Sequence, residues 1–230
     1  MKSVWSIITL STPTLSKWQQ GSYLHRLSGW LADWRLGSWL WQWSEGIGAI
    51  LIAILFLLAP YVSTTLIGVL LMAIAAYWLL TILCAEERIV ITPVHGLVFL
   101  YWGVATVATA FSPVKQAAFN GWITLTLYLI LFSFAAQILR SPKLCNRIIT
   151  GYLLTALVVS AYGVRQEFFG VQQLATWNDP RSALANDTRV YSYLGNPNLL
   201  GGYLLPAIAL SVAVIFIWQG WLPKVLALIM

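Results

Sequence analysis

Residues 46–85 run GIGAILIAILFLLAPYVSTTLIGVLLMAIAAYWLLTILCA, without one Asp, Glu, Lys or Arg. A helix needs about 20 apolar residues to cross the hydrocarbon core of a bilayer, so this stretch is too long for one crossing and long enough for two. Pro60-Tyr61-Val62-Ser63 supplies the break, since proline interrupts a helix interior and the serine suits a turn. A transmembrane barrel would require apolar and polar residues to alternate, whereas here whole runs are apolar on every side. In lipid each backbone N–H and C=O must find its partner within the protein, and a helix provides that within a single segment. The fold class is therefore all-α, a polytopic transmembrane helical bundle.

The whole composition points the same way. Apolar residues make up 60% of the chain and charged residues 9%, against about 25% charged in soluble domains. The formal net charge of +6 would suggest nucleic acid in a soluble protein. Here the bases fall between apolar runs, where they act as orientation signals and contacts for anionic headgroups, so no nucleic-acid partner is expected. Cys84 and Cys145 show no paired spacing and cannot form a metal cluster.

Working outward from 46–85, the pattern predicts spans at 41–60, 64–84, 93–111, 117–139, 148–164 and 198–218, with a further apolar start after Trp221-Leu222-Pro223-Lys224 that stops at Met230. About six complete spans plus the start of a seventh suggest the N-terminal part of a longer protein. Residues 1–40 form a Trp-rich segment in which Leu24, Leu27, Trp30, Leu31 and Trp34 recur at helical spacing among bases, as in a helix lying in the membrane interface. The organisation is thus an interfacial segment (1–40), five spans (41–164), a polar loop (165–197), and a sixth span with the start of a seventh (198–230). With the N-terminus on one side, that side collects Lys2, Lys17, Arg26, Arg35, Arg88, Arg140, Lys143, Arg147 and Lys224, while Lys115, Arg165, Arg181 and Arg189 fall on the other. The richer side is cytoplasmic, so the loop 165–197 faces outward.

That loop is long for a connector, and long ordered loops are usually functional. It ends in Arg189-Val-Tyr-Ser-Tyr-Leu-Gly-Asn-Pro-Asn-Leu-Leu-Gly-Gly-Tyr203. Asn196 is a suitable N-cap and Pro197 fits the first helical position. The positive end of the sixth span then points at the loop, seven residues downstream of Arg189, an arrangement suited to an anion. Arg189, Ser192, Asn196 and Asn198 are the anion- or substrate-binding candidates, and Pro197 and Gly201 shape the helix start. The alternative is that Arg189 reaches for headgroups and the remainder only caps a helix. Glu86-Glu87-Arg88 reads as a solvated span end, and His95 as a headgroup-level histidine or a proton relay. Ala49 with Ala53, and Ala105 with Thr109, have the spacing of closely packed helices. No catalytic residue, metal site or cofactor motif is identified.

Arg189 followed by Asn196-Pro197-Asn198 at the start of a span resembles the motif of the O-antigen ligase and polymerase superfamily. Within it, the Trp-rich N-terminus, the paired run 46–85 and the string from Ser192 to Gly201 are similar to the cyanobacterial bicarbonate-transporter family called IctB, along all 230 residues. The resemblance implies a multi-pass protein of the bacterial inner membrane with an inorganic-carbon role. Ligases of the superfamily instead transfer a glycan from an undecaprenyl-diphosphate carrier at the outer face, using outward arginines and a histidine. Arg189 matches the first of those arginines. The partners implied are the lipid bilayer and either a small anion (bicarbonate) or a lipid-linked diphosphate glycan.

Overall fold

The computed structural model describes residues 38–84, 93–171 and 189–229. The segment 1–37, Glu86-Glu87-Arg88 and residues 172–188 of the loop lie outside them, as do the predictions made there. Among the described residues there is no strand, and helices account for nearly everything. In chain order they are α1 (Trp39–Gln42), α2 (Ser44–Leu58), α3 (Thr64–Cys84), α4 (Pro93–Ala110), α5 (Lys115–Ile138), α6 (Pro142–Phe169), a 3₁₀ turn (Ser192–Leu194), α7 (Pro197–Ile217) and α8 (Trp221–Ile229).

Helices α3 to α7 are long and apolar enough to cross a membrane. The first expected span is shorter than 41–60: α2 has 15 residues, about 22 Å at 1.5 Å per residue. Pro60 withholds an N–H at one end, and a turn at Trp43 separates α2 from α1 at the other. The fifth span is longer than 148–164. Helix α6 runs for 28 residues and includes Arg165, Gln166 and Glu167, which the sequence pattern puts in the loop; it stops at Gly170, in the left-handed region at φ 73°. Large apolar side chains remain exposed along the helices, among them Leu97, Phe99, Leu100, Val104 and Val107 on α4, which has no buried residue. Water would penalise such a surface and lipid does not. The protein is a multi-pass integral membrane protein.

The chain divides into two compact units, one of residues up to Ile52 with Thr64–Ser141, the other of Ala53–Ser63 with Pro142 onward. In the first, α5 packs against both α3 and α4. Its core holds Ile52, Ile74 and Phe134, all nearly inaccessible. A Cβ at Gly48 would sit 2.7 Å from Phe134 Cζ and 2.8 Å from Ile138 Cδ1, so this glycine permits the start of α2 to approach α5. The Tyr77 hydroxyl donates to the Ser44 carbonyl at 2.8 Å. Between α4 and α5 the contact is reciprocal. Trp102 Nε1 donates to Thr126 Oγ1 (3.0 Å) and Trp122 Nε1 to Thr106 Oγ1 (2.8 Å). Each threonine passes its own proton to the carbonyl of the tryptophan four residues earlier in its helix, at 2.8 Å.

In the second unit, α6 packs on α7 and on the 3₁₀ turn, and α7 on α8. Tyr152, Leu153, Ala156, Ala207 and Val214 make its apolar centre. Pro60 leaves the Phe56 carbonyl without its usual helical donor, and the Tyr203 hydroxyl donates to it at 3.1 Å. Pro206, inside α7, withholds the N–H that would reach the Gly202 carbonyl, and the carbonyl of the next residue, Tyr203, accepts from the Tyr152 hydroxyl at 2.6 Å. At Pro60 a side chain of a neighbouring helix thus supplies the donor that the proline withholds, as lipid surroundings require. Among the described residues no buried side-chain nitrogen or oxygen lacks a partner.

Candidate anion site at the start of α7

The segment from Arg189 to Asn198 is held by a side chain that the sequence had placed in the loop. Gln166, in the last turn of α6, is buried. Its Oε1 accepts from the backbone N–H groups of Tyr191 (3.1 Å) and Ser192 (2.7 Å), and its Nε2 donates to the Ser192 carbonyl (3.4 Å). One amide thereby satisfies a short stretch of chain that has no strand or helix partner. Ser192 adopts φ 52°, a left-handed conformation that side chains other than glycine seldom take. Its hydroxyl donates to the Val159 carbonyl at 2.7 Å, and these bonds offset the backbone cost. Ser192 is buried, and its N–H, carbonyl and hydroxyl each make a hydrogen bond that fixes the chain here.

Aromatic rings complete the support. Tyr193 stacks on Tyr162 with centroids 4.3 Å apart and leans on Tyr61 at 5.0 Å. The Arg165 guanidinium lies 5.7 Å from the Tyr162 ring centre, within cation–π range. Partial burial, with Tyr193 beside it, raises the pKa of the Tyr61 hydroxyl, which is therefore protonated at neutral pH.

The helix start follows the sequence closely. Gly195 takes φ 67° and ends the 3₁₀ turn; Asn196 is extended, and its Oδ1 accepts from the Asn198 N–H at 2.8 Å; Pro197 occupies the first helical position. Gly201 lies in the second turn with open space around it. One consequence differs from the sequence reading. Pro197 has no N–H, the Asn198 N–H is spent on the cap, and the Leu200 N–H bonds the Asn196 carbonyl at 3.0 Å. Few backbone donors are left for an anion, which shifts the weight to side chains. Arg189 is exposed three residues before the anchored Ser192, and the Asn198 side chain is exposed on the first turn of α7.

The anchoring residue, Gln166, was missed because its neighbours Arg165 and Glu167 make that turn look like loop. The signal available was the length of the helical pattern, which continues to Gly170. His95, also singled out in the sequence, lies on α4 with its ring 5.5 Å from that of Phe132, in the first unit. Comparison with known proteins finds no family, no curated protein and no solved structure that matches the chain.

Proposed function

We propose that this chain belongs to the IctB-like branch of the O-antigen ligase and polymerase superfamily and handles a small inorganic anion, bicarbonate, at the outer face of a bacterial inner membrane. The observation that carries the reading is the anchored segment itself: Gln166 and Ser192 fix the backbone so that an exposed Arg189 precedes a capped helix start. A guanidinium offers a rigid fork of donors to a planar oxyanion, and a helix N-terminus adds a favourable dipole. Arg189, Asn196 and Asn198 supply the polar contacts in this proposal, with Pro197 and Gly201 shaping the helix start.

A second reading rests on a different observation. Among the described residues no Lys, Arg, Asp or Glu stands near the middle of α3 to α7. Transporters commonly place ionisable groups and broken helices at mid-depth. Polarity gathered at helix ends favours a transferase acting at the surface on an undecaprenyl-diphosphate-linked glycan, with Arg189 on the diphosphate.

Radiolabelled bicarbonate uptake into proteoliposomes of the purified protein decides between them. Uptake above that of empty vesicles, reduced about tenfold or more by Arg189→Ala, is the expected result, since losing a charge-assisted contact is worth about one order of magnitude. Uptake equal to empty vesicles rejects autonomous transport in favour of the transferase. Normal activity in a folded Arg189→Ala protein removes Arg189 from either site.

A further inference from the structure

A cleft of about 590 Å³ opens in the first unit between α3, α4 and α5, well inside the range of about 300–1,000 Å³ typical of pockets that enclose small molecules. Its walls are apolar, with Trp102, Leu129 and Ile130 among them, and the polar groups His95, Gln137 and Arg140 gather where α4 begins and α5 ends. Helices α4 and α5 run antiparallel, as the pairs His95–Phe132, Trp102–Thr126 and Thr106–Trp122 require. The cleft therefore runs from a polar mouth into an apolar interior.

Its depth is informative. From Gln137 to Thr126 along α5 is about 16 Å at 1.5 Å per residue, close to half of the roughly 30 Å hydrocarbon core. The Trp102–Thr126 hydrogen bond lies at the deep end. A second transmembrane helix, about 10 Å across and the full thickness in length, would need a groove that continues past this point. One leaflet's acyl chain does not. Nor do the walls suit a polar solute, because their hydroxyls are spoken for. Thr126 accepts from Trp102 and donates to the Trp122 carbonyl, and Ser133 donates to the Leu129 carbonyl at 3.0 Å.

The geometry points to a phospholipid site: one acyl chain in the cleft and the phosphate at Arg140, with the Gln137 amide beside it. Arginine's planar fork matches phosphate oxygens two at a time. Gly96 tests the site cleanly, since it lines the cleft and a Cβ there meets nothing within 4 Å. Gly121 has equally open surroundings but does not line the cleft.

The experiment uses the protein in phosphatidylcholine vesicles carrying either a phospholipid with a photoreactive acyl terminus or a diacylglycerol with the same chain. Labelled residues are located by mass spectrometry. In the wild-type protein the phospholipid should label cleft residues of α4 and α5, about tenfold more than the diacylglycerol. Gly96→Phe should abolish that labelling and Gly121→Phe should leave it intact. Arg140→Gln should bring phospholipid labelling down to the diacylglycerol level. If Gly96→Phe does not elute as a folded protein, Ala136→Leu fills the same cleft from α5. Equal labelling by the two lipids in the wild type overturns the phosphate assignment, and equal labelling in wild type and filled variants overturns the site. A wild-type cleft that neither lipid labels also overturns it.

Discussion

Proline 60 is a single residue whose effect reaches another helix. By lacking an N–H it leaves the Phe56 carbonyl open, and Tyr203 closes that gap from α7 at 3.1 Å. Removing the tyrosine hydroxyl should therefore cost more in the native protein than where the helix can supply its own donor. We expect Tyr203→Phe to destabilise by about 1–2 kcal/mol, the cost of orphaning a part-buried acceptor. Pro60→Ala restores an N–H at position 60, and in that background the same substitution should cost about half as much or less. Unfolding midpoints of the four proteins in one detergent give the coupling; a strictly additive result means that the proline and the tyrosine act separately. The proline was legible in the sequence as a hairpin break. Its partner was not, because Tyr203 lies 147 residues from Phe56 and tyrosines in spans have many uses. Gln166 was illegible for the same kind of reason: its value lies in three bonds to a distant segment, and its local sequence looks like loop.

Among elements, the α4–α5 pair contains a repeat that hydropathy conceals. Phe99-x-x-Trp102-x-x-x-Thr106 recurs as Phe119-x-x-Trp122-x-x-x-Thr126, and the turn between the helices brings the two copies together head to tail. Each tryptophan meets the other copy's threonine, with the ring centroids of Trp102 and Trp122 5.9 Å apart. Phe99 lies 5.8 Å from Trp102, and Phe119 the same distance from Trp122. The hydroxyls at Thr126 and Ser133 are thus committed to packing and backbone bonds. Double-mutant cycles should return similar couplings for Trp102→Phe with Thr126→Val and for Trp122→Phe with Thr106→Val. The expected size is about 0.6 kcal/mol each, within the range for polar contacts between membrane helices. A coupling confined to one pair breaks the symmetry inferred here. Whereas α2 is shorter and α6 longer than the apolar pattern implies, the limits of α3, α4, α5 and α7 were legible to within about two residues, since lipid selects length and apolarity directly. Packing partners were not, because lipid-facing and helix-facing surfaces are equally oily.

For the molecule as a whole, orientation turns on the shortest element. Helices α3 to α7 fix which connectors share a side, but only a crossing at α2 assigns the N-terminal bases. If α2 crosses, Lys2, Lys17, Arg26 and Arg35 join the five bases Arg88, Arg140, Lys143, Arg147 and Lys224, against four opposite. Without that crossing the same four would join Lys115, Arg165, Arg181 and Arg189, and the bias would reverse. Alone, α2 is too short for a bilayer, yet only Trp43 separates it from α1, and the stretch 39–58 rises about 30 Å. Tryptophans 39, 41 and 43 suit the headgroup level at its start. We therefore expect a crossing, with the N-terminus cytoplasmic and the hairpins at 60–63 and 112–114 outside, together with residues 172–188. Membrane-impermeant labelling of single cysteines at Ser63, Ser112 and Ser182, in a background with Cys84 and Cys145 replaced by serine, should succeed from outside, while one at Ser3 should not. Replacing Lys2, Lys17, Arg26 and Arg35 with glutamine leaves five bases against four and should yield a mixture of both orientations. Uniform outward labelling after that substitution would mean that determinants other than these bases set the topology. Labelling of Ser3 and Ser63 positions from the same side in the native protein would mean that α2 does not span, and Arg189 would then be assigned to the opposite face.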